Sequence, residues 1–208
     1  MKRLFALLLL VASVAATTAW AGSSAFWGNP FTHDGLFVHA AMGLGYASFE
    51  NADSKESLTA DGFGMNLHGK LGYYVVRDLA LHANIGYVMY SNFREARYGV
   101  PTYVDHDFYV VSSVFVGGGA TYYVPIWNNV FLSGSLGVTG YRLNCHRYSG
   151  NTGLRAFSFD IGAGKEWWVS ERLALGVSAS FNSGEYWSED DGVFRSSSIM
   201  LMASISFH

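Results

Sequence analysis

The sequence predicts an all-β fold, an eight-stranded antiparallel up-and-down transmembrane β-barrel, and three observations carry that prediction. Eight segments alternate an apolar side chain with a small or polar one, the period of a strand with two different faces. The breaks between them alternate between short and long, as in a meander with tight turns at one end and loops at the other. The polar face is built from Gly, Ser and Ala and carries too few charges to meet water. Composition agrees, with 24 Gly, 3 Pro, 16% aromatic and only 14% charged residues, a mixture that favours strands over helices.

Along the chain, Lys2 and Arg3 precede an apolar run at 4–14, and in "AWA" (19–21) Ala19 and Ala21 place small residues at a cleavage site. Residues 1–21 therefore read as a secretory signal peptide, cut before Gly22. Losing Lys2 and Arg3 makes the formal charge of −3 more negative, which excludes the basic footprint of a nucleic-acid binder. Residues 22–35, "GSSAFWGNPFTHDG", are irregular and contain Pro30, so they are expected at the periplasmic rim and not in a strand. The barrel is expected over 36–208. After Gly22 no window of 18 apolar residues occurs, so no transmembrane helix is predicted. Cys145, the single cysteine, has no partner for an internal disulfide.

The first strand, 36–48, sets Leu36, Val38, Ala40, Met42, Leu44 and Tyr46 against His39, Ala41, Gly43 and Gly45. The second, 63–75, sets Phe63, Met65, Leu67, Leu71 and Tyr73 against Asn66, His68, Lys70, Gly72 and Tyr74. The third, 79–90, has Leu79, Leu81, Ala83, Ile85, Tyr87 and Met89 on its apolar face and Ala80, His82, Asn84 and Gly86 behind. In 108–124, Val110, Val114, Val116, Ala120 and Tyr122 oppose Ser113, Gly117, Gly119, Thr121 and Tyr123. In 130–141, Leu132, Leu136 and Val138 oppose Ser133, Ser135, Gly137 and Thr139. In 155–169, Phe157, Phe159, Ile161, Ala163 and Trp167 oppose Ser158, Asp160, Gly162, Gly164, Glu166 and Trp168. In 173–181, Leu173, Leu175, Val177, Ala179 and Phe181 oppose Gly176, Ser178 and Ser180. The last, 197–207, sets Ile199, Leu201, Ala203, Ile205 and Phe207 against Met200, Met202, Ser204 and Ser206. Short breaks fall at 76–78, 125–129 and 170–172, and long ones at 50–62, 91–107, 142–154 and 182–196.

A glycine- and serine-rich face suits a narrow interior, where it leaves room for larger rings. The apolar rows suit lipid, and at the short-turn end they finish on an aromatic girdle of Tyr73, Tyr122, Trp167 and Phe207. Lipid requires every backbone polar group to be paired, which strands achieve only in a closed barrel. Eight strands leave a bore filled by side chains, not a general aqueous channel.

With "GYYVVRDLAL" (72–81), "KEWWVSERLALGV" (165–177) and the closing "SIMLMASISF" (198–207), the region 36–207 resembles the small outer-membrane barrels of the OmpX and OmpA transmembrane-domain type. That resemblance implies the fold, outer-membrane localisation after export, lipid and lipopolysaccharide around the wall, and insertion machinery that reads an aromatic residue of the last strand. Here Phe207 is followed by His208. The resemblance implies no catalytic residue.

Inside the bore, His39, His68, Lys70, His82, Asp160 and Glu166 are expected to form a polar network, because buried charges must be paired. A turn at 76–78 sets Gly72 opposite His82 and Lys70 opposite Asn84, and Lys70 is expected to pair with Glu166. The neighbouring lysine argues against a histidine metal site, and no metal or other cofactor is predicted. "HRYS" (146–149) lies in a long loop and reads as a flexible polar segment, not as a hydrolase centre. "YVDHD" (103–107) and "SGEYWSEDDG" (183–192) lack EF-hand spacing and read as solvated acidic tips. Tyr103, Tyr148, Tyr186 and Trp187 are the loop residues expected to meet an extracellular ligand.

The function expected from these features is non-enzymatic: a monomeric barrel in a structural, surface-interaction or adhesion role through its long loops. A narrow pore or transporter for small or apolar solutes is the second reading, and a lipid-modifying barrel enzyme the third.

Overall fold

The structure is a computed structural model that describes residues 29–51, 58–97, 110–144, 154–188 and 192–208. Eight antiparallel strands close on themselves: β1 (Leu36–Asn51), β2 (Leu58–Val76), β3 (Leu79–Arg97), β4 (Val110–Val124), β5 (Val130–Asn144), β6 (Leu154–Trp168), β7 (Leu173–Ser188) and β8 (Gly192–Phe207). Each strand pairs with the next, and β1 pairs with β8 to shut the barrel. Every ladder is thereby satisfied and no edge remains, the condition for crossing lipid with strands.

The alternation places the faces as the sequence predicts. Leu44, Phe63, Leu71, Phe157 and Leu201 stand exposed on the outside, while Phe37, Asn66, Tyr123, Asp160 and Glu166 are buried inside. In the three paired aromatics at the short-turn end, the first ring faces out and the second enters the bore. Tyr73, Tyr122 and Trp167 are 43%, 44% and 49% exposed, whereas Tyr74 and Tyr123 are 5% and 1%. The predicted pairings Gly72 with His82 and Lys70 with Asn84 are present. The turn that makes them is tighter than expected: Val76 pairs with Leu79, leaving Arg77 and Asp78 alone at the turn, and an irregularity between Tyr74 and Val76 restores the register. Asp78 takes φ 67° there, the left-handed backbone that tight hairpins demand and Asp tolerates.

The expectation of long loops at 50–62, 91–107, 142–154 and 182–196 is corrected. Strands continue well into those stretches, so that β2 and β3 reach 19 residues each, whereas roughly 9–11 suffice to cross a bilayer. Side-chain alternation fades in these stretches, but the backbone ladder needs no alternation to persist. The exposed cross-strand pair Glu185 with Arg195, 3.6 Å apart, sits in one of these extensions.

Candidate functional site

The bore at the short-turn end is closed by a packed layer around one carboxylate. Phe37, Tyr74, Ala80, Tyr123 and Phe131 form a buried cluster, and Glu166 enters it from β6 with 1% exposure. The carboxylate is held from several strands. Ser206 Oγ donates to Oε1 at 2.5 Å, while Tyr123 Oη and His208 Nε2 each donate to Oε2 at 3.0 Å. His39 Nδ1 lies 2.8 Å from Ser206 Oγ and 3.5 Å from Glu166 Oε1, and Tyr74 Oη meets His208 Nδ1 at 2.7 Å. A buried carboxylate persists only with such a complement of donors.

This layer contains a serine, a histidine and a carboxylate but not a nucleophilic triad. A triad needs the nucleophile and the orienting acid on opposite ring nitrogens, and here both Ser206 and Glu166 meet Nδ1 of His39. Ser206 is 1% exposed, so no substrate reaches it. The arrangement does the work of a clasp between strands.

Residues 29–35 seal the layer from below as a strap across the rim. Phe31 N donates to Glu171 O, Asp78 N to His33 O, and Tyr74 N to Gly35 O, at 2.7, 3.0 and 2.9 Å. Asn29 and Thr32 brace Asp34. His33 turns into the mouth, stacks on Tyr123 at 3.8 Å and Trp168 at 5.4 Å, meets His208 edge-on at 4.9 Å, and holds Asp78 Oδ1 with Nδ1 at 2.9 Å. Burial, reinforced by the neighbouring His208, holds the His33 imidazole down at about 4 against the upward pull of Asp78 and Glu166. An unfolded histidine titrates near 6.5, so the undocked strap binds the proton more readily. Strap docking is therefore expected to be complete above about pH 6.5 and to weaken as pH falls toward 4. Hydrogen exchange at the Phe31 and Asp78 amides at pH 7.5 and 4.5 checks this; equal protection would contradict it.

Lys70 does not pair with Glu166. Its Nζ donates to Ser133 Oγ at 2.9 Å, and the Glu166 oxygens are held by Ser206, Tyr123 and His208 instead. Lys70, His39, His68 and Asp160 instead line a gap of about 10 Å³ higher in the bore. A second gap, of about 20 Å³, lies between His68 and the loop-end mouth, enough for about one water, while the smaller one is at the threshold for one. His82 is drawn aside to Thr121 Oγ1 at 3.0 Å. His39 and His82 thus serve different partners while His68 lines both gaps, and among the described residues no cluster of three or more His, Cys, Asp or Glu is arranged to hold a metal.

Tyr73, Tyr122 and Trp167 ring the outside at the short-turn end, and Phe207 is half-buried beside them. Tyr103, Tyr148, Cys145 and the "HRYS" segment lie outside the described residues, as does the signal peptide. Tyr186 and Trp187 are strand residues of β7, opposite Phe194 and Val193, and not loop residues as expected. Sequence reasoning missed His33, Ser206 and His208 as members of the layer. Parity could have found Ser206, which shares the inward face with Ser204; nothing in the pattern signals His33 or His208, which lie beyond the strands.

No family profile and no curated protein matches the chain. Among solved structures, Neisserial surface protein A (NspA) superposes with a TM-score of 0.50 at 16% identity, covering 83% of this chain and 96% of NspA. Ail, the attachment invasion locus protein of Yersinia pestis, gives 0.48 at 16% identity over 83% and 99%, and OprG of Pseudomonas aeruginosa 0.42 at 8% over 84% and 96%. At such identities the likeness speaks to architecture: this chain has the eight-stranded barrel fold found in small outer-membrane proteins.

Proposed function

We propose that the chain is a closed, non-conducting outer-membrane barrel, a rigid anchor that carries its extended hairpins beyond the lipid for surface interaction or adhesion. The observation that carries this reading is the packed layer of Phe37, Tyr74, Tyr123, Phe131, Glu166 and His208 across the bore, with His33 seated beneath it. An ion would have to displace several buried rings and break hydrogen bonds to a buried carboxylate. The apolar exterior, including Leu44, Leu71, Ile85, Leu136 and Leu201, supports residence in lipid, since a soluble protein does not expose an apolar surface of that extent. A fold shared with a Neisserial surface protein accords with this reading. No catalytic residue is assigned.

The test is planar-bilayer recording on refolded full-length protein. No stepwise conductance is expected from the wild type; steady ion conductance that changes in Lys70→Met would overturn the closed-bore reading in favour of a pore. Extraction of the protein without detergent would sink the membrane reading.

A further inference from the structure

One cation stands on the outer wall where lipid is expected. Lys165 occupies an outward-facing position of β6, between Ala163 and Trp167, with Val130 and Val177 beside it on the neighbouring strands. Among the residues whose exposure is described, the other charged outward positions, Arg142, Arg155, Glu185 and Arg195, all lie at the loop end of the barrel. Among the described residues no acidic side chain pairs with Lys165; its Nζ sits 6.0 Å from the centroid of the Trp167 ring. An ammonium on a lipid-facing wall is costly at depth and is tolerated near an interface, where the alkyl stem lies along the wall and the head reaches polar headgroups.

The adjacent turn adds the rest of a site. Pro125–Trp127 form a single 3-10 turn, followed by Asn128 and Asn129 at φ 50° and 62°. Glu166 N donates to Asn129 O at 3.1 Å, and Val130 pairs directly with Lys165, so the turn is clamped against this part of β6. At its tip Ile126 is 84% exposed and Trp127 56%, and Trp167 is 49% exposed alongside Lys165. An exposed Ile beside Trp at the rim of an apolar wall is expensive in water and favourable at the headgroup boundary, where the indole N–H stays wet and the ring does not.

Building on the membrane reading, we propose that Lys165, Trp167 and the Ile126–Trp127 turn form a binding site for an anionic phospholipid of the inner leaflet, with its phosphate on Lys165 Nζ. The turn continues the apolar wall past the aromatic girdle, and the ammonium has no counter-ion among the described residues, so the phosphate supplies the charge the wall lacks. The lipid site is external to the bore and independent of the Glu166 layer.

Native mass spectrometry of the full chain in detergent, titrated with phosphatidylglycerol and with phosphatidylcholine, tests this. Wild type is expected to retain phosphatidylglycerol preferentially. Lys165→Gln is expected to weaken that binding about fivefold, the effect of one surface lysine facing anionic lipid, and Lys165→Arg to keep it. Both variants should retain heat-modifiable migration on gels, which shows the barrel intact. Equal phosphatidylglycerol binding by wild type and Lys165→Gln would overturn the proposal, as would displacement of the lipid by millimolar inorganic phosphate, which would make this a phosphate site. A chain that is soluble without detergent would instead remove the membrane reading on which the site rests.

Discussion

Glu166→Ala is expected to destabilise the barrel by about 3–5 kcal/mol, the scale for breaking a buried charged cluster by deleting one partner. The alanine would strand Tyr123 Oη, Ser206 Oγ, His208 Nε2 and His39 Nδ1 in a layer of buried side chains. The loss also spans the barrel, since these groups come from β4, β8, the residue after β8, and β1. Glu166→Gln should cost less, because the amide oxygen still accepts one or two of these bonds. Urea unfolding in detergent micelles, followed by the heat-modifiable gel shift, gives the midpoints. A Glu166→Ala midpoint equal to wild type would mean that ring packing alone closes the bore.

The second large effect is expected at Gly43→Val. A Cβ built at Gly43 would stand 1.9 Å from the Leu201 carbonyl oxygen and 2.7 Å from Met202 Cα. These are backbone atoms of β8, so relief requires opening the β1–β8 ladder, the pairing that shuts the barrel. Overpacking a well-filled interior costs about 1–3 kcal/mol where side chains can yield, and here backbone must yield. The expected result is a chain that fails to give the compact band on unheated gels. Gly134→Ala is the control: on the outer wall of β5 nothing lies within 4 Å of the added atom, and the compact band should persist. A normal Gly43→Val barrel would show that the seam has slack.

Parity sets Gly43 inward and Gly134 outward between Leu132 and Leu136, but the clash awaiting a side chain at Gly43 is set by the closing seam. Both stand in alternating strand segments, but one faces a neighbour's backbone across the closing seam and the other faces open surroundings. The paired aromatics were more legible. "YYVVRDLAL" and "WWVSERLAL" each place one ring outside and the next inside because adjacent strand residues point to opposite faces, and the pairings around Arg77 and Asp78 follow from one tight turn. Lys165 was readable in principle as an outward-parity cation, and it lay hidden among the polar residues of its strand.

The sequence by itself determined the strand number, the alternating faces, the short-turn end and the outward aromatics there, because each depends on interactions a few residues long. Only the tertiary structure decided who pairs with whom inside the bore. Glu166 took Tyr123, Ser206 and His208, and Lys70 was left to Ser133, since reach across a closed barrel depends on register and tilt accumulated over eight strands. His33 and His208 joined that layer from outside the strand pattern, where periodicity carries no information about which cavity a side chain will enter.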